Sequence, residues 1–445
     1  MLKFGTDGVR GVANVDLTPE LVLALGRAAA RVLGGKRFVV GRDTRRSGPL
    51  LEAALVAGLT AEGVDVTTLG VAPTPAVAWL AAADGIAGAV ISASHNSFAD
   101  NGVKLFTAGG SKLSDEVEEA LEAELRRLLD QHDPDPAPAG DAVGTLVDGA
   151  AAVDRWAESV LGSIDGRGLK DLRVVVDCAN GAATAVAPRV LQALGAVVEV
   201  LHAEPDGTNI NAACGSTHPD DLRRAVVTHG ADAGLAFDGD ADRVLAIDAA
   251  GRLIDGDQII GICAIDRHER GRLAKDTVVV TVMTNLGFRL GMADHGIEVL
   301  EVPVGDRYVL EALGDVGLSL GGEQSGHVVF ADLATTGDGL LTAVQLLDVM
   351  CRSGRPLAEL ADTAMTRLPQ VLHNVRVAAK GMDLTDLLAG DIAAVEAELG
   401  DHGRVLVRGS GTEPLVRVMV EAPTHEQAAA AADRLARQVE RLGTG

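Results

Sequence analysis

Along this chain the apolar positions follow two periods, and the switch between them predicts the elements. Thr18 precedes Pro19 and an apolar face through Leu21, Leu25, Ala28 and Val32, with Gly34-Gly35 behind it; this predicts a capped helix with a glycine stop. Short apolar runs at 38–41, 64–69 and 86–91, each bounded by glycine or polar residues, predict buried strands. Between the first two, residues 49–62 read as a helix that stops at Gly63. Strands alternating with helices of this length imply an α/β layer architecture with largely parallel pairing. The unit recurs: 173–176 runs into Asp177-Cys178-Ala179-Asn180-Gly181, and 278–282 into Met283-Thr284-Asn285-Leu286-Gly287. With 38–45 that makes three strand–polar loop–helix openings, and hence three tandem α/β domains of related fold.

Breakers set the expected boundaries. Residues 132–139 carry prolines at 134, 136 and 138, which neither a helix nor a central strand tolerates. A helix over 150–161 leads into the second domain, and Gly251 with Asp255-Gly256-Asp257 opens the third. After Pro369 the pattern changes to strand-type alternation followed by helices. The expectation is domains at 1–150, 151–250 and 251–368, with a small α+β domain at 369–445.

At 445 residues the chain exceeds a single ordinary core, and 47% hydrophobic with 23% charged residues is typical of a soluble globular protein. Apolar runs are broken before membrane-spanning length, and the N-terminus has no apolar leader, so a cytoplasmic location is expected. The net charge of −24, from 63 acidic and 39 basic residues, argues against nucleic acid or an anionic membrane as partner. An anionic substrate would therefore need its own basic cluster. Cys178, Cys214, Cys263 and Cys351 are scattered without a C-x-x-C pair, which supports neither a disulfide framework nor a thiolate zinc site. Aromatics are only 2%, so a bound sugar would be held by hydrogen bonds more than by stacking.

Against this background five stretches carry chemistry. Ser94-His95 follows the strand at 86–91 and offers a nucleophile or a carrier of a covalent group; a plain solvated turn is the competing reading. Asp238-Gly239-Asp240-Ala241-Asp242, between two apolar runs, presents carboxylates suited to Mg²⁺ or Ca²⁺. It is no EF-hand, because Arg243 and Ala249 stand where Gly and Glu are needed. Arg408-Gly409-Ser410-Gly411-Thr412-Glu413-Pro414 with Arg417 forms an anion cradle of nest N–H groups, hydroxyls and guanidinium forks. Gly321 to His327 places Glu323, Gln324, Ser325 and an imidazole on one loop, a set able to read sugar hydroxyls and move a proton. Lys104, in Asp100-Asn101-Gly102-Val103-Lys104, lies near enough in sequence to return to Ser94 and neutralise phosphate.

Together these runs resemble the α-D-phosphohexomutase superfamily over nearly the whole chain, and most closely its bacterial glucosamine-phosphate branch. The quoted motifs are G-T-D-G-V-R-G (Gly5 to Gly11), S-A-S-H-N-S, D-N-G-V-K, D-G-D-A-D-R, V-G-D-R-Y, G-E-Q-S-G-H and R-G-S-G-T-E-P, in that order. The resemblance implies an enzyme, an isomerase interconverting glucosamine 6-phosphate and glucosamine 1-phosphate. The route would run through a phosphoserine and a 1,6-bisphosphate, feeding UDP-N-acetylglucosamine and cell-wall precursors. It implies three related α/β domains with mixed sheets and a C-terminal α+β domain around one central cleft, Ser94 as the phosphoserine, one Mg²⁺ on Asp238, Asp240, Asp242 and a Ser94 phosphate oxygen, and a sugar bisphosphate as activator. It assigns substrate contacts to Arg243, Gly305, Asp306, Arg307, Glu323, Ser325, Arg408, Ser410, Gly411, Thr412 and Arg417. Lys104, His95 and Arg243 would stabilise the group in flight, while His327, Lys104 and Arg10 would handle protons. Gln324 resembles the glucosamine form, and Ser97 departs from the proline common in relatives. Rival readings are a phosphomannomutase/phosphoglucomutase of the same superfamily, a metal-dependent phosphatase, and a non-catalytic phosphosugar sensor; oligomeric state, including a homodimer, stays open.

Overall fold

The computed structural model describes residues 8–130, 136–378, 384, 387–409 and 414–443. Three α/β sheets and one small antiparallel sheet organise it. The first sheet has six strands, in the order Val9–Val12, Asp100–Phe106, Ala87–Ile91, Arg37–Arg42, Asp65–Val71 and Leu146–Asp148. Asp100–Phe106 pairs antiparallel with both of its neighbours, whereas the remaining pairs are parallel. The sheet is therefore mixed, as the expected fold class has it, because the short turn after Ile91 leaves room only for a hairpin return. Ala87–Ile91 is buried at every position, as an apolar run without alternation requires.

The second sheet orders Leu253–Ile254, Val244–Asp248, Ala233–Phe237, Arg173–Asp177 and Val197–Leu201, and again adds an antiparallel hairpin to parallel strands. The third orders Glu298–Val302, Thr277–Thr281, Leu320–Gly322 and Val328–Phe330, the last two forming a hairpin. The expected Thr18 cap forms, accepting from the Leu21 N–H at 3.3 Å ahead of the helix Pro19–Leu33. Asp338 likewise accepts from the Leu341 N–H at 2.9 Å ahead of Gly339–Ser353. Pro19–Leu33 packs on Gly48–Ala61 through glycines. A Cβ on Gly58 would sit 2.2 Å from the Leu23 carbonyl oxygen, so the backbones touch there.

The chain parts into two compact units: residues 1–282 with 297–361, and 283–296 with 362–445. The second holds the antiparallel sheet Gln370–Arg376, Leu415–Glu421 and Arg404–Gly409, with helices Ala389–Leu399 and His425–Gly443. Its apolar cluster runs through Val375, Val395, Val416, Val418, Leu435 and Val439. The helix Leu286–Asp294, although it lies in sequence between two strands of the third sheet, belongs to this unit. Asn285 donates to the Leu368 carbonyl at 3.0 Å and to Glu421 at 3.1 Å, and the Leu286 N–H donates to Glu421 at 2.9 Å. All four cysteines are unpaired. Among the described residues no helix is long and apolar enough to cross a membrane.

Candidate active site

Two strand ends of the first unit meet at the serine. Ser94 follows Ala87–Ile91 in the left-handed region, at φ 52°, and is buried. Asp238, Asp240 and Asp242 occupy the turn between Ala233–Phe237 and Val244–Asp248. The Ser94 hydroxyl donates to Asp238 Oδ2 at 2.6 Å and lies 3.3 Å from His95 Nδ1. Lys104, on the neighbouring strand Asp100–Phe106, donates through Nζ to Asp240 Oδ2 at 2.8 Å and Asp242 Oδ2 at 3.1 Å. The Arg243 N–H donates to Asp238 at 3.2 Å, and its Nε lies 3.8 Å from Asp242 Oδ1.

Charge in this cluster is set by burial and then by neighbours. Burial pushes the Asp238 carboxyl well above the usual range, and Asp242 and Asp240 push it further. Burial also works against charge on Asp240, but the Lys104 ammonium outweighs it and holds that carboxyl below the ordinary value. His95 is held below the ordinary imidazole value by burial, with Arg243 and Arg10 adding repulsion.

The three aspartates bring carboxylate oxygens within 4.8 Å of one another. Asp240 Oδ1 and Asp242 Oδ1 are buried and accept no hydrogen bond among the described residues. Buried oxygens with unused lone pairs in an all-oxygen set fit a hard divalent cation such as Mg²⁺.

A scaffold that the sequence reading did not assign holds the serine loop. Arg45 is fully buried. Its guanidinium donates to the carbonyls of Ser94 at 2.8 Å, Asn96 at 2.9 Å and Asp100 at 3.0 Å, and also to Ser97. Asp43 anchors it, accepting from Arg45 Nε at 2.7 Å and from Ser92 Oγ at 2.6 Å. Asn211 reaches over from the second sheet's loops and donates to Ser94 O at 2.9 Å and Asn96 O at 3.0 Å. Thr74, the first residue of the helix Thr74–Asp84, ties the acidic turn to the first domain, its hydroxyl donating to Asp240 Oδ2 at 2.6 Å. The only signal for Arg45 was its place in the polar loop ending a strand; Asn211 and Thr74 left none.

The remaining expected residues gather elsewhere. His327, at the mouth of the hairpin Leu320–Gly322/Val328–Phe330, is buried with Nε2 3.6 Å from Asp306 Oδ2. Neither of its ring nitrogens makes a hydrogen bond among the described residues, and the same holds for the buried Ser325 Oγ. Gly337 lies against the ring: a Cβ there would come within 2.3–2.6 Å of three imidazole atoms. The Gly305 N–H donates to Glu323 at 3.2 Å, and Gln324 donates to Asp257 at 3.0 Å.

Asp306 and Arg307 have partners within the protein. Asp306 pairs with Lys112, and Arg307 with Asp115 and Glu118. Among the described residues no hydrogen bond or ion pair joins this group directly to Ser94. In the second unit Arg408 stands directly opposite Arg417 across two strands, where like charges repel unless an anion intervenes. Burial and then Arg417 hold the Arg408 guanidinium below its ordinary value. Gly5 to Asp7, the first part of the proline loop at 132–135, and Ser410, Gly411, Thr412 and Glu413 lie outside the described residues.

Comparison with known proteins agrees with this arrangement. Four family models match in order. Phosphoglucomutase/phosphomannomutase alpha/beta/alpha domain I matches residues 1–132, domain II 153–251, domain III 255–368 and the C-terminal domain 372–438. A phosphoglucosamine mutase from Frankia alni is 58% identical over 447 residues, covering 97% of each chain. A crystal structure of a phosphoglucomutase/phosphomannomutase family protein from Burkholderia thailandensis superposes with a TM-score of 0.81 at 27% identity, over 99% of this chain and 98% of that one. The N-acetylphosphoglucosamine mutase of Aspergillus fumigatus, solved in complex with GlcNAc-6P and magnesium, shares the fold with a TM-score of 0.68 at 19% identity, over 100% of this chain and 96% of that one. With all four domains matched in order and a relative of this identity over nearly the whole length, the chain belongs to the phosphoglucomutase/phosphomannomutase family of α-D-phosphohexomutases, on its phosphoglucosamine mutase side.

Proposed function

We propose that this chain interconverts glucosamine 6-phosphate and glucosamine 1-phosphate, with Ser94 carrying the phosphoryl group between turnovers. The observation that carries the reading is the 2.6 Å contact between Ser94 Oγ and Asp238, residues 144 positions apart, inside a buried acidic cage. Phosphate on Ser94 adds a charge of about −1.5 to −2. Asp238, Asp240 and Asp242, with a phosphoserine oxygen, are the proposed holders of Mg²⁺, which when bound neutralises that charge and polarises the phosphoryl group.

The chain's own residues do the rest. The bond from phosphorus to Ser94 Oγ breaks as a bond forms to the free hydroxyl of the sugar phosphate, giving a 1,6-bisphosphate. The sugar hydroxyl gives up its proton to a protein base, the departing Ser94 oxygen takes one from a protein acid, and the serine loses that proton again when it receives the second phosphoryl group. Lys104, in contact with Asp240 and Asp242, is the proton carrier nearest this chemistry, with His327 and Arg10 as further candidates. Return of the other phosphate to Ser94 completes the isomerisation. Lys104, His95 and Arg243 supply positive or donor groups for the charge in transfer. Arg408 and Arg417 are proposed to take the sugar's other phosphate, which removes their mutual repulsion. A 1,6-bisphosphate would then act as activator by rephosphorylating Ser94.

The test is product identity. Purified protein given glucosamine 6-phosphate, Mg²⁺ and a trace of bisphosphate should form glucosamine 1-phosphate faster than the corresponding glucose or mannose phosphates are converted. Release of inorganic phosphate without isomer would replace the mutase with a phosphatase, and preference for the glucose or mannose phosphates would move the substrate to the sister activities.

A further inference from the structure

We propose that Asp177, His202 and Cys214 form a second cation site, for a borderline-soft divalent ion of the Zn²⁺ class, distinct from the three aspartates. Asp177 ends the strand Arg173–Asp177, His202 directly follows the strand Val197–Leu201, and Cys214 precedes the turn Gly215–Thr217. Their ligand atoms, one carboxylate oxygen, one imidazole nitrogen and one sulfur, all lie within 4.8 Å of one another. Tetrahedral Zn²⁺, with bonds of about 2.0–2.3 Å, sets neighbouring ligand atoms about 3.3–3.7 Å apart, so a small closure completes the set. Oxygen, nitrogen and sulfur donors together suit Zn²⁺ and are poor ligands for Mg²⁺.

Two further observations point to a ligand. His202 Nδ1 lies 3.1 Å from Asp177 Oδ2, yet it is buried and makes no aligned hydrogen bond there. On the other side of the ring, Nε2 faces Asp221 Oδ2 at 3.5 Å. A carboxylate behind the far nitrogen is how protein imidazoles are oriented for metals. The remaining geometry is already fixed. Asp177 accepts from the Ala179 N–H at 2.9 Å and the Gly215 N–H at 2.8 Å, so it cannot swing away. Gly215, at φ 70°, seats Cys214 where a Cβ would strike Ala179 and the Phe237 carbonyl, each at 2.6 Å. Asp177 and Cys214 are buried, whereas the His202 side chain is 26% exposed and gives the ion its entry. The fourth position is left for water. On binding, the Cys214 thiol releases its proton to solvent and nothing is oxidised or reduced. The ion would tie together the loops carrying Asn180 and Asn211, the latter holding the Ser94 carbonyl.

Co²⁺ is the probe, titrated into full-length protein kept in excess Mg²⁺ so that the three aspartates are satisfied. One equivalent should raise a sulfur-to-cobalt charge-transfer band in the near ultraviolet, and Zn²⁺ should bleach it. Cys214→Ser should lose the band while Cys178→Ser, at the buried cysteine next to Asp177 in sequence, keeps it. His202→Gln, at a partly exposed position where folding is safe, should weaken Co²⁺ binding at least tenfold. Zn²⁺ should raise the thermal midpoint of the wild type and leave that of Cys214→Ser unmoved. A wild type without the band, a band that survives Cys214→Ser, or His202→Gln binding as tightly as wild type would each overturn the site.

Discussion

Replacing Arg45 with Met tests whether one guanidinium holds the serine loop. Arg45 and Asp43 are both fully buried, their side chains pair at 2.7 Å, and four carbonyls of the loop depend on the same group. Removing one partner of such a pair strands a carboxylate in the interior, at a cost of about 3–5 kcal/mol. Burial already drives the Asp43 carboxyl upward, with Arg45 the main opposing influence, so the variant's Asp43 takes up a proton and limits the loss. The Ser94 and Asn96 carbonyls keep Asn211, whereas the Ser97 and Asp100 carbonyls lose their guanidinium donor, adding about 1 kcal/mol each. The sum is about 5–7 kcal/mol before protonation of Asp43 reduces it. Both tryptophans of the chain, Trp79 and Trp156, lie in the first unit, so urea unfolding followed by fluorescence reads this unit. Asp43→Asn with Arg45→Met should recover about half of the loss, because the stranded charge is gone. Arg45→Lys should pair with Asp43 but fail to span the carbonyls, costing about 2 kcal/mol of stability and reducing turnover. A single Met variant within about 1 kcal/mol of wild type, or a double variant no better than the single, would refute the assignment.

Other outcomes follow from the same geometry. Ser94→Ala should abolish steady isomerisation and the protein-bound phosphate seen by mass spectrometry; near-normal turnover would end the phosphoserine model. Asp240→Asn should lower turnover and shift the Mg²⁺ titration together, and an unchanged titration counts against the aspartate cage. Gly337→Ala should displace the His327 ring and cut kcat/KM at a stability cost of about 1–3 kcal/mol; wild-type kinetics would remove His327 from the reaction. Burial raises the Asp338 carboxyl to about 6 from 3.8, so the folded state holds a proton there that the unfolded chain releases. That contribution favours folding at low pH and is lost as pH rises from about 3.8 to about 6, by about 3 kcal/mol. The difference in unfolding free energy between wild type and Asp338→Asn should fall with pH across that window, and a flat difference would sink the argument.

Much of the architecture is written in local pattern. Thr18 with Pro19 announces a helix start, and the fully buried run to Ile91 announces a central strand, because each signal is satisfied by its own neighbours. The acidic turn is legible for the same reason: three carboxylates between two apolar strands have few uses other than a cation. What pattern does not show is pairing across long separations. Arg45 and Asn211 matter only because folding brings them to the carbonyls of Ser94, and no spacing rule connects positions 49 and 117 residues apart. Arg307 is the converse case. Its motif suggested an anion contact, but the fold places Asp115 and Glu118 within its reach, so any anion must compete with them. The antiparallel return through Lys104 also lay beyond a strand–helix–strand reading, yet it is what carries that ammonium to the aspartates.

The helix Leu286–Asp294 leaves its neighbours in sequence to pack with residues 362–445, so the polypeptide passes between the two units three times, near 282, 296 and 361. A cut at 361 would not liberate a self-sufficient C-terminal module. It would strip Thr366 and Ala364 from the glycine face of that helix, where their carbonyls would lie 1.9 Å and 2.1 Å from a Cβ on Gly287 and Gly291, and orphan Asn285 from Glu421. Chimaeras that exchange this portion between relatives should therefore carry 283–296 along as a second, discontinuous insert, or they will part Asn285 from the Glu421 it holds.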